Sequence, residues 1–479
     1  MKLGGLDIGT TGCKLSVYDD KGLFLCNAYQ EYASVRDNDQ QMIDPEAVWA
    51  AVLKVIREAS AQAGTVDVIG VTSFGESFVL LDDQDRILMP AMLYTDVRGT
   101  EEVKLFDREQ VISITGIKPG AMYSLPKIMW VKKHRPELYE QARHILLMED
   151  FIIYKLTGVA QIDYSLASRT MAFDIHSCCW SRELLAVAGI DAEKLSRPVC
   201  SGTMAGPIRC TELSMPETMV VNGCHDQMAA LIGAGVLDCR TAVDGTGTVE
   251  CVTPVFDKVP ENRALYDGSY AVLPHVLPGK YVCYAFSFTG GAALKWYRDT
   301  FAPEKTYQAL DAEVGDKPTG ILVLPHFAGA ATPYMDNGSK AAFVGVTLGT
   351  SQADLYRAVM EGVTYEMLLN IEHLQEAGIE IDRLYATGGG ANSPVWLQIK
   401  ADILGRELVA LDAPESGAAG TVMLCGVAVG LFKDILEARS VMVKERKIYY
   451  PDKALHEEYK KHYQRYRKLY EAVRPLMEE

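Results

Sequence analysis

One short pattern occurs twice in this chain, and any fold must accommodate both copies. Asp7-Ile8-Gly9-Thr10-Thr11-Gly12 and Asp244-Gly245-Thr246-Gly247-Thr248 each set an acidic residue before a turn rich in glycine and threonine, with β-type runs on either side. The copies start 237 residues apart (7 to 244), about half of the 479 residues. The match is loose and offset by one residue. Two such hairpins opening two halves predict a duplicated α/β domain with a cleft between the copies. At ~100–200 residues per domain, the length holds two to four domains and ample core.

The local pattern supports that organisation. Apolar or alternating runs at 3–8, 14–18 and 23–29 predict an opening β-meander, turned by Gly9–Gly12 and by Asp19–Gly22. Asp44-Pro45-Glu46 offers a helix cap followed by proline at the first helical position, and Val48, Val52, Val55 and Ile56 follow at helical spacing. Strands are expected at 66–72 and 78–81, then a mainly helical stretch from about 100 to 215, then a strand at 219–222 and a helix at 227–234. The second half repeats the alternation: strands at 240–244, 249–255 and 281–286, helices at 292–301 and 352–375, a strand at 383–387, and the turn Gly388-Gly389-Gly390 before a helix near Val395. The last thirty residues read as one charged helix. Tyr459, Tyr463, Tyr466 and Tyr470 share one face of it, a stripe suited to docking on the body of the protein.

Composition excludes several classes. A hydrophobic fraction of 48% with 23% charged residues is that of an ordered globular protein. A net charge of −16, with no basic cluster, argues against a nucleic-acid partner. Eleven dispersed cysteines without a CxxC pair fit reduced thiols and a cytoplasmic location, and nine histidines without an HxxxH pair argue against a zinc site. The N-terminus lacks the features of a signal peptide, and the glycine-rich apolar stretch 417–432 is shorter than the ~20 residues a membrane-spanning helix needs.

Several residues carry candidate chemistry, each beside a plainer reading. A glycine/threonine hairpin is a common turn, yet its N–H groups and hydroxyls also suit phosphate oxygens. In the first hairpin Lys14 would neutralise phosphate and Asp7 would hold Mg²⁺ through water. No GxxxxGK[ST] or GxGxxG motif is present, so neither the P-loop nor the dinucleotide fingerprint applies. The turn Gly388–Gly390 with Asn392 and Ser393 is either a capped helix start or a close approach for adenine or ribose. Asp226 lies where a strand gives way to a helix, and on local grounds it is a helix cap; its chemical reading is a general base. Glu76 is a solvated loop residue or an acceptor for sugar hydroxyls. Asp96 and Arg98 read as an ion pair.

Taken together, LDIGTTGCK (6–14), IGVTSFGESFVLLD (69–82), DYSLASRTMAFDIH (163–176), GCHDQMAALIGAG (223–235), DGTGT (244–248), FTGGAALKW (288–296), FAGAATPYMD (327–336) and GGGANSPVWLQIKADILG (388–405) resemble the FGGY carbohydrate kinases over essentially the full length. The resemblance implies two actin-like (ribonuclease H-like) α/β domains, each with a central mixed sheet, divided as 1–243 and 244–479. It implies an ATP- and Mg²⁺-dependent phosphotransferase acting on a small sugar or polyol, in a family where homodimers are frequent. By resemblance, Asp226 is the base that activates the substrate hydroxyl, and Asp7 and Asp226 lie at the metal. Thr10, Thr11, Gly12 and Lys14 fall to the phosphates. Gly245, Thr246, Gly247, Gly291, Lys295, Gly389, Gly390 and Asn392 or Ser393 fall to the nucleotide. Gly75, Glu76, Asp96, Tyr123, Asp226 and Gln227 fall to the sugar. Gly75-Glu76 departs from the Met-His usual in xylulokinases and from the Arg-Glu of glycerol kinases. The loop at Asp96 and Arg98 looks xylulokinase-like, while Asp226-Gln227 and 167–171 look glycerol-kinase-like. The implied activity is xylulokinase-like, with a ketopentose as substrate; an alditol or gluconate is the alternative within the family, and a non-catalytic sugar-binding regulator or a chaperone-like ATPase the alternative outside it.

Overall fold

The opening run folds as the strand Lys2–Ile8, which turns through Gly9–Gly12 into the antiparallel strand Gly12–Asp19. This is seen in a computed structural model that describes residues 1–37, 40–412 and 415–477. The strand Phe24–Glu31 continues the meander. On its other side Lys2–Ile8 pairs in parallel with Val68–Ser73, which pairs in parallel with Met219–His225, and Met204–Pro207 closes that edge. Every residue of Val68–Ser73 is buried, as a parallel strand covered on both faces requires. The helix Pro45–Ala63 starts as its sequence predicts: the Asp44 side chain accepts from the Glu46 N–H at 3.0 Å, and Val48, Val52, Val55 and Ile56 are fully buried in the core of the same unit.

The second sheet repeats this order. Thr241–Thr246 and Glu250–Phe256 form the antiparallel hairpin, and Tyr281–Ser287 is the outer antiparallel strand. Arg383–Thr387 and Glu407–Leu411 are the two parallel strands on the other side. Ala271–Pro274 and Glu445–Tyr449 extend the two edges to seven strands. The repeat read from two loosely matching hairpins is therefore a repeat of strand order and direction.

The compact units of the structure are not two unbroken halves of the chain. One compact unit comprises Met1–Gly235, Leu273–Lys280 and Pro414–Val443; the other comprises Val236–Val272, Tyr281–Ala413 and Lys444–Glu479. The cause is the helix Ser416–Ala428, built almost entirely from small and apolar residues. It crosses the helix Asp226–Gly233 so closely that a Cβ on Gly233 would sit 1.8 Å from the Ser416 carbonyl oxygen, and one on Gly420 would sit 2.0 Å from that of Ala229. Only glycine fits at such a crossing. The same stretch looked merely glycine-rich and too short for a membrane. Among the described residues no helix is long and apolar enough to span one.

The C-terminal stripe docks as expected. Tyr459, Tyr463, Tyr466 and Tyr470 are all buried. Their hydroxyls donate to Glu361, Glu372, Glu366 and Asp336, three of which lie on the long helix Gln352–Glu376. The single helix expected there is interrupted: Lys453–Tyr466 ends before a short turn of helix at Leu469–Val473.

The helix crossing yields a paired prediction. Gly233→Ala forces a methyl group into backbone atoms and is expected to destabilise the protein by at least the ~1–3 kcal/mol typical of overpacking. Gly417→Ala meets no atom within 4 Å and is expected to be neutral or slightly stabilising. Urea denaturation of the two variants checks both.

Candidate functional site

The first unit gathers its chemistry at one end of its sheet. Asp7 lies on the last turnward stretch of Lys2–Ile8, opposite Lys14 in the hairpin register. The turn is closed by Gly9 N–H to Gly12 C=O at 2.9 Å and braced from outside by Tyr32, whose hydroxyl donates to the Gly9 carbonyl at 2.6 Å and whose N–H donates to that of Thr11 at 3.1 Å. The hydroxyls of Thr10 and Thr11 have no hydrogen bond to another described residue. Lys14 has one partner already: its ammonium lies 2.9 Å from Oε1 of Glu415.

Asp226 stands at the junction of Met219–His225 and Asp226–Gly233. The strand runs three residues further than its apolar run suggests, and a register irregularity between Asn222 and His225 re-aims its end. The cap reading of Asp226 does not hold. Asp226 is the first helical residue and His225 occupies the cap position, with no side-chain cap bond. The carboxylate accepts instead from the adjacent Gln227 N–H at 2.6 Å, while the Gln227 side chain faces solvent. Burial, opposed by that N–H and by the charge of Arg169, pushes the Asp226 carboxyl up to about 6, although 35% of the side chain remains open to solvent. Burial, reinforced by the Asp226 charge, pushes Asp7 up to about 7. Nε2 of His225 lies 3.3 Å from Oδ1 of Asp226; burial and the Arg169 charge push that imidazole down to about 3, so it is neutral at physiological pH. The junction is pinned from behind, where the His225 N–H donates to Ser165 Oγ at 2.8 Å and Ser165 Oγ donates to Asp163.

Glu76 sits at positive φ (68°) with its carboxylate turned inward. Arg169 answers it through Nε at 2.6 Å and again through Nη2, in a pair whose side chains are only 8% and 5% exposed. The guanidinium lies over the Tyr123 ring, 5.2 Å from its centroid, and Ser124 Oγ donates to the Glu76 carbonyl at 2.7 Å. Gly75 is glycine for a reason the sequence does not disclose: a Cβ there would come within 3.0 Å of Arg169 Cγ and 3.4 Å of His225 Cδ2. Asp96 matches the ion-pair reading, with Oδ1 and Oδ2 taken by Arg98 at 2.8 and 2.7 Å and Oδ2 also by the Gln41 N–H at 2.9 Å. Its direct role toward a sugar is thereby weakened.

The second unit holds a cavity of about 450 Å³. Thr246, Gly247, Gly291, Lys295, Gly389, Gly390, Asn392 and Ser393, all expected at the nucleotide, line it. Gly245 does not; it lies within the sheet, paired with Cys251 and Thr387. Ser393 is also the cap of Pro394–Leu404, accepting from Trp396 N–H at 3.1 Å while donating to Asp311 Oδ2 at 2.7 Å. Lys295 pairs with Asp299 on its own helix.

Models of the N- and C-terminal domains of the FGGY family of carbohydrate kinases match residues 2–233 and 245–429. The chain belongs to that family. Among its relatives, a xylulose kinase of Bacillus subtilis (strain 168) is 25% identical over 95% of this chain and 94% of its own length. A glycerol kinase of Koribacter versatilis (strain Ellin345) is 28% identical over 92% of each chain. The ligand-bound crystal structure of xylulose kinase from Lactobacillus acidophilus superposes with a TM-score of 0.90 at 23% identity, covering 98% of both chains, and so shares the fold. As an FGGY carbohydrate kinase, this protein is a phosphotransferase with an alcohol group as acceptor.

Sequence reading missed several residues of this kinase. Arg169, Ser165 and Tyr32 act through partners far along the chain and have no local signature. Burial, with the charges of Glu76 and Asp226, raises the Tyr94 hydroxyl. Tyr307, Asp311, Tyr356 and Trp396 complete the cavity wall; Tyr307 and Asp311, four apart on one short helix, were the only spacing signal.

The Arg169–Glu76 pair gives a stability prediction. Arg169→Met strands a buried carboxylate and is expected to cost ~3–5 kcal/mol. Adding Glu76→Gln to that variant is expected to recover most of the loss in urea denaturation.

Proposed function

We propose that this kinase transfers the γ-phosphoryl group of ATP to a hydroxyl of a small neutral ketose or polyol, with xylulose the substrate we favour. The observation that carries the reading is Asp226: a carboxylate at a strand–helix junction, one-third exposed, with its proton affinity raised to about 6. A general base is most effective when its pKa lies near the working pH. Asp226 accepts the hydroxyl proton as the substrate oxygen attacks, and the neutral His225 beside it leaves that role to the carboxylate. The turn at Gly9–Gly12 offers backbone N–H groups and two untaken threonine hydroxyls to the transferring group. Thr246, Gly247, Gly291, Gly389, Gly390 and Asn392 are read as the wall for the nucleotide in the second unit, with Lys295 at its rim.

Asp7 and Asp226 fit a Mg²⁺ that arrives with the nucleotide. They repel one another as bare carboxylates, and such an ion needs one or two carboxylates plus phosphate oxygens and water. Among the described residues no group of three or more His, Cys, Asp or Glu side chains forms a closed metal cage, which suits a substrate-borne ion. When bound, it would neutralise charge on the phosphates.

Charge supports a neutral acceptor. Glu76 and Arg169 neutralise one another, which leaves no free guanidinium for a sugar acid, and the remaining carboxylates Asp7 and Asp226 disfavour an anionic acceptor. The similarity to xylulose kinases favours a ketopentose; the Glu at position 76, shared with glycerol kinases by resemblance, keeps alditols as the second choice.

ADP release measured with Mg-ATP across D-xylulose, L-xylulose, D-ribulose, glycerol, erythritol and gluconate tests the proposal. A ketopentose or alditol is expected to respond, with gluconate silent and Asp226→Asn reduced by at least ~10²-fold. A response to gluconate alone, or near wild-type turnover in Asp226→Asn, overturns it. Below about pH 6 Asp226 is protonated and unable to accept, so kcat/KM is expected to fall towards tenfold per pH unit as pH drops through that value.

A further inference from the structure

Lys400 lies on Pro394–Leu404, the helix that follows the glycine turn and carries Trp396 into the cavity wall. Nothing in its sequence setting suggests more than a surface lysine, yet its side chain is 2% exposed. Its ammonium makes three contacts: Asp244 Oδ2 at 2.7 Å, Glu250 Oε1 at 2.5 Å and Thr246 Oγ1 at 2.6 Å. These are the two strands of the second hairpin and the residue at its turn. Burial pulls the ammonium down, but the facing carboxylates more than offset it and keep it charged.

The third contact has a directional consequence. An ammonium has three donors and no acceptor, so Thr246 Oγ1 must accept from it. The threonine's own O–H hydrogen therefore points elsewhere, and no described residue takes it. Thr246 lines the cavity. Its methyl group is held as well: Gly390 packs so closely that a Cβ there would lie 2.6 Å from both Cβ and Cγ2 of Thr246. With the rotamer confined on one side and one lone pair of Oγ1 taken by Lys400, the hydroxyl hydrogen is turned away from the lysine, and toward an anionic oxygen, which can only accept, it is the donor.

We propose that Lys400 is a positioning residue for the phosphate chain of the nucleotide: by donating to Thr246 Oγ1, it turns that hydroxyl's hydrogen away from itself and leaves it available to an anionic oxygen in the cavity. A buried charged triad is costly to assemble, and apolar residues of similar volume often serve stability as well or better. A directional task accounts for its presence where a packing task does not. The inference rests on the reading of this cavity as the nucleotide site.

Isothermal titration of ADP and of adenosine into the wild type, Lys400→Met, Thr246→Val and the double variant tests it. Lys400→Met is expected to weaken ADP about tenfold, the worth of a hydrogen bond to a charged group, and to leave adenosine unchanged. Thr246→Val is expected to do the same, and the double variant to bind ADP no more weakly than either single one. Equal weakening of ADP and adenosine would make Lys400 a purely structural residue, and additive losses would mean that it does not act through Thr246; either overturns the proposal, as does unchanged ADP binding in Lys400→Met. If Lys400→Met fails to give a cooperative melt, Lys400→Met/Asp244→Asn/Glu250→Gln, which removes both carboxylates the lysine faced, carries the same comparison. A wild type that binds neither ligand overturns the nucleotide reading and this inference with it, whereas binding by the wild type isolates the failure to Lys400.

Discussion

A carboxylate held among protein atoms must be answered by a cation, a proton or several hydrogen bonds, because desolvation otherwise makes its charge prohibitively costly. Much of this kinase is organised by how each such group is answered. Glu76 receives Arg169, Asp96 receives Arg98, and Asp244 with Glu250 receives Lys400. Asp163 is met by N–H and hydroxyl donors from Ser165, Leu166 and Ser201. Burial pushes Asp150 up to about 8 despite the Ser196 hydroxyl and the backbone groups that bond it, so it carries a proton at neutral pH. Asp7 and Asp226 differ from all of these. Each raises the cost of charging the pair, and no neighbour supplies a full counter-charge, which leaves them dependent on what enters the site.

The duplicated hairpin shows the two solutions side by side. Both copies set an acidic residue near the end of the central strand, with an antiparallel strand to one side and a parallel one to the other. In the first copy the acid is left open beside a turn whose hydroxyls are untaken. In the second the acid is sealed in with its own lysine, and the turn residues Thr246, Gly247 and Thr248 reach the cavity.

What the sequence made legible was local. The Asp44 cap, the two hairpins, the strand before Asp226 and the tyrosine face are all written within a few residues of one another, and each formed, the strand running three residues longer and the tyrosine helix broken before Leu469. Of the residues expected at a nucleotide, all but Gly245 come together around one cavity, because glycines and small polar residues mark turns wherever they fall. The contacts that escaped join distant positions: Arg169 to Glu76 across 93 residues, Lys400 to Asp244 across 156, and Ser16 to Glu415 across 399. No periodicity encodes such pairs. Gly75 illustrates the limit. Set against related motifs it looked like a missing side chain, but the space is filled by an arginine from elsewhere in the chain.

The return of Ser416–Ala428 to the first unit has a consequence for how the protein is made. Gly5, Gly233 and the strand ends around them are shaped to receive a helix that emerges nearly 200 residues after Gly235. At ribosomal speeds of about 5–20 residues per second, that is a wait of roughly 10–40 s. Through that interval the face of Asp226–Gly233 meant for the helix is bare, and the aspartate at its head belongs to an element whose final neighbour does not yet exist. The first unit begins the chain yet cannot be completed until most of the second unit has been synthesised, with only Lys444–Glu479 of the second unit still to follow it.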